Sequence, residues 1–214
     1  MGSVLVETTI VFPVFILLAF GTVDVALMLY DWNLASKADY VGARTAVVSD
    51  PVAQGITSLS NAYDPTLTSN LCYVPSASTF TSTGDCPIVP ATVCTGAGSG
   101  GSCTSGYLFD SAAFTTIYSR MKAIFPRLQP TNIVIKYTPN GLGFVGRPGG
   151  LPMNVTVELQ CVTHQFFFLG ALMDWSFPTP TDLSGNTCQN TPPGWLLPSF
   201  VTKTTLTSED MATN

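Results

Sequence analysis

The run Thr8–Tyr30, TTIVFPVFILLAFGTVDVALMLY, constrains this chain more than any other feature. It contains 23 residues and one charge, Asp24, with 16 uncharged residues ahead of that acid. A bilayer core takes roughly 20 apolar residues in helical form, so 8–30 can span a membrane with Asp24 near one end. Pro13 fits this reading, because membrane helices tolerate proline where other groups re-satisfy the backbone. A cleaved secretory signal needs a basic stretch in front and a small-residue site behind. Here the first Lys is Lys37 and no A-x-A site follows closely.

The helical pattern outlasts the membrane. Asp24, Asp31, Lys37, Asp39 and Arg44 punctuate the next stretch, and Leu27, Tyr30, Leu34, Ala38, Val41 and Thr45 recur at three- or four-residue spacing. This predicts one helix over 3–48, stopped by Asp50-Pro51 because the residue before a proline is pushed out of the helical region. Such a helix is roughly 70 Å long at 1.5 Å per residue. Its inner half is apolar all round and its outer half amphipathic, as suits a helix that packs against its own copies. The amino-terminal flank has no Lys or Arg to orient the span. The six cysteines all follow residue 71, which puts the carboxyl-terminal part on an oxidising, extracytoplasmic side.

Charge excludes other classes. Only 10% of residues are charged, against about 25% in ordinary soluble domains, so this is no disordered acidic tail. Eight Lys+Arg against thirteen Asp+Glu, net −5, cannot build a nucleic-acid-binding stripe. No nucleic-acid partner is expected.

Beyond residue 50, segment 51–109 is rich in Thr, Ser, Gly and Pro and reads as loop, TGAGSGGSCTSG above all. It has no strand–Gly–Lys–helix context for a P-loop. Its cysteines, Cys72, Cys86, Cys94 and Cys103, join Cys161 and Cys188 in a set with 15 possible connectivities. Local pairs are the working choice: 72–86, 94–103 and 161–188. The spacings do not suit C-x₂-C zinc pairs and only His164 could assist, so no metal is expected. Segment 110–214 reads as a small α+β domain. Asp110-Ser111 caps a short helix, with Phe114, Ile117, Met121 and Ile124 on one face and Pro126 ending it. NIVIKY at 132–137, NVTVELQCVT at 154–163 and FVTKTTLTS at 200–208 read as three antiparallel strands, with Val155, Val157, Leu159 and Cys161 on one face. Turn signals stand at 139–141 and 148–150. FFFLGALM at 166–173 is too short to span a membrane and is either core or an exposed seat for a partner. Trp175 and Trp195 are loop anchors or contact residues.

Glu7 stands at the edge of the apolar run, where a carboxylate is costly unless paired. No positive side chain is nearby. An amino terminus at Ser3 would supply one; otherwise Glu7 reaches to the headgroups. Gly2 followed by Ser3-Val4-Leu5-Val6-Glu7 and a proline-containing apolar helix resembles the processing site of type IV pilin-like proteins. The match extends to TadE/TadG-like minor pilins. Gly2, Val6, Glu7, Pro13, Gly21 and Asp24 fit their apolar segment, and Ala38, Gly42, Ala43 and Arg44 fit A-x-x-G-A-R.

The resemblance implies that a prepilin peptidase cuts between Gly2 and Ser3, leaving Met1-Gly2 as a leader remnant. It also implies that Glu7 pairs with a neighbour's new amine, and that Pro13, Gly21 and Asp24 shape the packing helix. The expected partners are other pilin subunits, the pilus assembly machinery and, before assembly, the bacterial inner membrane. The carboxyl-terminal domain would lie outside, and later in a surface pilus serving adhesion or secretion. Lipidation is not expected, because the myristoylation pattern wants Ser or Thr where Val6 stands.

No catalytic residue or cofactor is expected. No G-x-S-x-G or H-E-x-x-H motif is present, and His164, the single histidine, reads as structural or solvent-facing. The alternatives are a membrane-anchored binding module or adhesin that never polymerises and, more remotely, an extracytoplasmic hydrolase.

Overall fold

The computed structural model describes residues 2–56, 91–97, 100–139, 153–164, 166–169, 188 and 202–207, with backbone alone for 2–6. The fold is α+β. Helix α1 runs over Gly2–Val48, 47 residues without a break at Pro13. Pro13 withholds one N–H from the ladder. Along the helix Thr22, Asn33 and Thr45 bond their side chains back to the carbonyls of Ala19, Leu29 and Val41 at 2.7–2.9 Å, covering polar groups locally. Ser49 N–H closes the last turn on Thr45 O at 3.0 Å, ahead of Asp50-Pro51.

The chain divides into two compact units, one of Met1–Ala35 with Gln160–Val201, the other of Ser36–Leu159 with Thr202–Asn214. In the second, strands β2 (Thr92–Ala97), β3 (Gly100–Cys103), β5 (Ile133–Pro139), β6 (Met153–Leu159) and β7 (Thr202–Thr207) form one antiparallel sheet ordered β3-β2-β5-β6-β7. The short strands β1 (Ala53–Gln54) and β4 (Leu108–Phe109) pair separately. The central strands β5 and β6 bury Ile133, Ile135, Tyr137, Val155, Val157 and Leu159 completely. Tyr137 carries its hydroxyl into this core, where it accepts from Val52 N–H at 2.9 Å, and burial pushes the phenol pKa up.

Helix α2 (Ser111–Ile124) starts where Asp110 Oδ1 accepts from Ala112 and Ala113 N–H at 2.8 and 3.0 Å. Those bonds satisfy two of the N–H groups that every helix start leaves without partners. Ala113, Phe114, Ile117 and Met121 are buried; Ile124 is only half-buried.

Three sequence expectations need correction. The sheet has five strands rather than about three, because part of the supposed 51–109 loop is the hairpin β2–β3. Gly96 makes the reason physical: a Cβ there would overlap the Phe114 ring and the Pro130 carbonyl oxygen. Glycine in this strand therefore marks close packing rather than chain freedom. Cys161 does not continue the β6 face. The strand stops at Leu159, and Cys161 adopts a left-handed φ of 55°. Of the periodic series on α1 only Ala38 is buried: Leu27 and Tyr30 are 40% and 61% exposed and Leu34, Val41 and Thr45 are half-buried, while the small residues Ala35, Gly42, Ala43 and Ala46 are buried outside the series.

The disulfides Cys94–Cys103 and Cys161–Cys188 coincide with two of the local pairs. Cys94 and Cys103 are direct cross-strand partners in β2–β3. Cys72, Cys86, Gly170–Met173, Trp175, Trp195 and the turn signals from Asn140 through Gly150 lie outside the described residues.

Candidate functional site

The candidate site is the helix itself. From Glu7 to Phe20 the side chains of α1 are exposed almost throughout, including Ile10, Phe12, Phe15 and Leu18. Uncovered surface of this kind suits an apolar medium or another helix. Glu7 is exposed on this stretch, beside an open recess lined with Thr8, Val11, Phe12 and Phe15. Pro13 is exposed in the same stretch. Gly2 and Ser3 form the first turn of α1, and only their backbone is described.

Asp24 is fully buried. Phe167 N–H donates to its Oδ1 at 3.2 Å, and the N–H groups of Phe168 and Leu169 donate to its Oδ2 at 2.7 and 2.8 Å. Three successive backbone donors thus close around one carboxylate, the arrangement by which main-chain turns bind anions. One turn before it, a Cβ on Gly21 would sit 3.5 Å from the Leu169 side chain, ordinary contact distance. Phe20 stacks on Phe168 with centroids 4.3 Å apart. Phe166 is buried with Met28 and Leu169 packed against it.

One heptad beyond Asp24, Asp31 Oδ2 lies 2.6 Å from His164 Nδ1. His164 meets Phe166 edge-on and is 2% exposed, so it is structural, and not solvent-facing. Its Nε2 is buried with no partner among the described residues. Of the FFFLGALM segment, Phe166 is core while Phe167 and Phe168 are 65% and 48% exposed, so the described part serves both readings at once.

Farther along α1, Gly42 lies where a Cβ would approach Met121 Cγ to 2.8 Å, so this turn of α1 and helix α2 touch backbone to side chain. Ala38, Gly42 and Ala43 of the A-x-x-G-A-R stretch are buried, and Arg44 turns outward with its guanidinium 5.9 Å from the Tyr40 ring centre. Asp39 is buried as well; Thr204 Oγ1 donates to its Oδ2 at 3.2 Å. Its carboxyl is raised to about 7, by burial first and then by the nearby Glu158 charge, against the lowering effect of Thr204.

Sequence reasoning singled out Asp24 but gave no role to Asp31, Asp39 or His164. The available signal was the spacing 24 and 31, a heptad that puts both acids on one helix face. Among the described residues, no group of three or more His, Cys, Asp or Glu could hold a metal ion.

A helix long and apolar enough to cross a bilayer, continuous with a disulfide-bonded α+β body, defines a membrane-anchored protein. The family model described as TadE-like protein matches residues 2–44, nearly the whole of α1. The likeness is confined to this helix and leaves the α+β body unmatched. No curated protein and no solved structure matches the chain.

Proposed function

We propose that the protein is a minor pilin or pseudopilin that enters, or sits at the tip of, a Tad-type pilus through its amino-terminal helix. The observation that carries this reading is the coincidence of the TadE-like match with the uncovered half of α1. The chain leaves its most apolar surface unpacked within the segment that the family model matches. In this reading a prepilin peptidase cuts between Gly2 and Ser3, and the protein waits in the inner membrane with its α+β body outside. Glu7 then pairs with the amine of a neighbouring subunit. Removing one member of a buried ion pair costs about 3–5 kcal/mol, because the other charge is left uncompensated. The pair therefore sets axial register more than raw stability.

A second reading, an anchored binding module that never polymerises, draws on a different observation. The flank of α1 from Phe20 to Asp31 is already engaged by His164, Phe168 and Leu169 of its own chain. Glu7 separates the two. Glu7→Ala is expected to abolish incorporation into filaments while membrane insertion is retained, read by immunoblotting of sheared filaments and of membranes. Normal filament yield and composition would overturn the pilin reading. A plain anchor would insert at least as well without the carboxylate.

A further inference from the structure

The loop Phe166–Leu169 has an unusual backbone economy. The N–H groups of residues 167, 168 and 169 all end on Asp24, so none of the three needs water. An ordinary exposed loop cannot enter an apolar medium, because unsatisfied N–H groups cost too much there. This one can. It also presents two phenylalanines, Phe167 and Phe168, largely uncovered. Asp24, which would itself be costly near lipid, is wholly covered by the same loop.

The loop's position along α1 names the occupant. Phe168 stacks on Phe20, and Leu169 lies against Gly21, so the aromatic tip sits beside the exposed apolar surface of α1, which runs on past it through Leu29, Tyr30 and Trp32. Phenylalanine has no polar group to keep at the headgroups, so its ring suits the apolar layer itself.

We propose that Phe167 and Phe168 form a wedge that enters the apolar layer of the bilayer beside the Phe20–Asp24 stretch of α1. This rests on the reading of α1 as a membrane anchor. Asp24 is the positioning residue that makes the wedge insertable.

The test uses the full chain in vesicles of phosphatidylethanolamine and phosphatidylglycerol. The photo-crosslinker benzoylphenylalanine replaces Phe167 in one sample and Phe15 in another, and adducts are identified by mass spectrometry. Lipid adducts at both positions are expected. Asp24→Ala should lower the yield at 167 by roughly fivefold or more, since three N–H groups lose their acceptor, and leave the yield at 15 unchanged. The milder Asp24→Asn, which keeps one acceptor oxygen, should fall between. Lipid adducts at 15 but none at 167 would overturn the wedge alone. Adducts at 167 to a second copy of the chain would overturn it in favour of a subunit contact. No lipid adducts at either position would overturn the membrane reading and the wedge with it. A yield at 167 indifferent to Asp24→Ala would overturn the clamp.

Discussion

The two halves of α1 follow opposite packing rules within one unbroken helix. Between Ile10 and Phe20 the bulky residues face outward, apart from Ile16, which is half-buried, and Phe20, which stacks on Phe168. Between Ala35 and Ala46 the covered residues are Ala, Gly and Asp, while Tyr40 faces outward. The difference teaches that side-chain volume, rather than hydrophobicity, marks the packed half. Small residues let α2 come close, which raises contact density; large apolar ones serve where the surroundings must be apolar.

The most damaging way to break this contrast is to put volume into the packed half. Gly42→Leu must displace Met121, which is itself fully buried. Overpacking costs about 1–3 kcal/mol and at times more; a contact this close belongs at the top of that range. Leu18→Ala, on the uncovered half, should change stability by no more than about 0.5 kcal/mol. Denaturant midpoints of the full chain in detergent micelles measure both. Equal midpoints for the two variants would remove the distinction between the halves.

A sharper probe is charge in the packed half. Asp39 titrates at about 7 in the folded chain, against about 3.9 in an unfolded one. Between these values the folded state holds a proton that the unfolded state has released, so stability falls as pH rises from about 4 to about 7. The loss amounts to a few kcal/mol, ~4 at most. Asp39→Asn should flatten that slope and leave the protein more stable than wild type above about pH 7. Denaturation series across this pH range decide it. An unaltered slope in the variant would locate the titrating group elsewhere.

These probes also show what the sequence could convey. The extent of α1 follows from its apolar length and from Asp50-Pro51, and strands β5, β6 and β7 follow from alternation. The packed face of α1 did not, because periodicity analysis weights Leu27 and Tyr30 above alanine and glycine, whereas the folded helix turns its small residues inward. The hairpin β2–β3 was hidden for a related reason: Gly96 looks like a loop residue until Phe114 and Pro130 are seen to occupy the place of its side chain. For the candidate site, Glu7 and Asp24 stand out as lone charges in an apolar run. The Asp31–His164 contact joins residues 133 apart in sequence, and no local pattern encodes such a pairing. Nor does any local pattern announce that the N–H groups of 167–169 converge on Asp24.

The smallest expected effect concerns how the two helices hold themselves up. Isolated helices shorter than about 12–15 residues are marginal. At 47 residues α1 does not depend on its ends, whereas α2 has 14 and begins on Asp110. Asp110 is held below the usual carboxylate range, first by the Ala113 N–H and then by Gln54 Nε2 at 3.2 Å and the Ala112 N–H, against some burial. Its contribution is therefore present above about pH 4 and fades as pH falls through its lowered folded value, the opposite slope to that of Asp39. Asp110→Ala should cost about 1 kcal/mol at neutral pH. Asp110→Asn, which keeps an acceptor for the helix start but not the charge, should cost only a few tenths. The two variants, compared by denaturation near neutral pH and again below about pH 3, separate the hydrogen bond from the charge. At low pH wild type should converge toward Asp110→Asn, because the carboxyl then caps as a neutral group. If it instead kept its neutral-pH advantage over Asp110→Ala undiminished, the cap would act through its hydrogen bonds rather than through its charge.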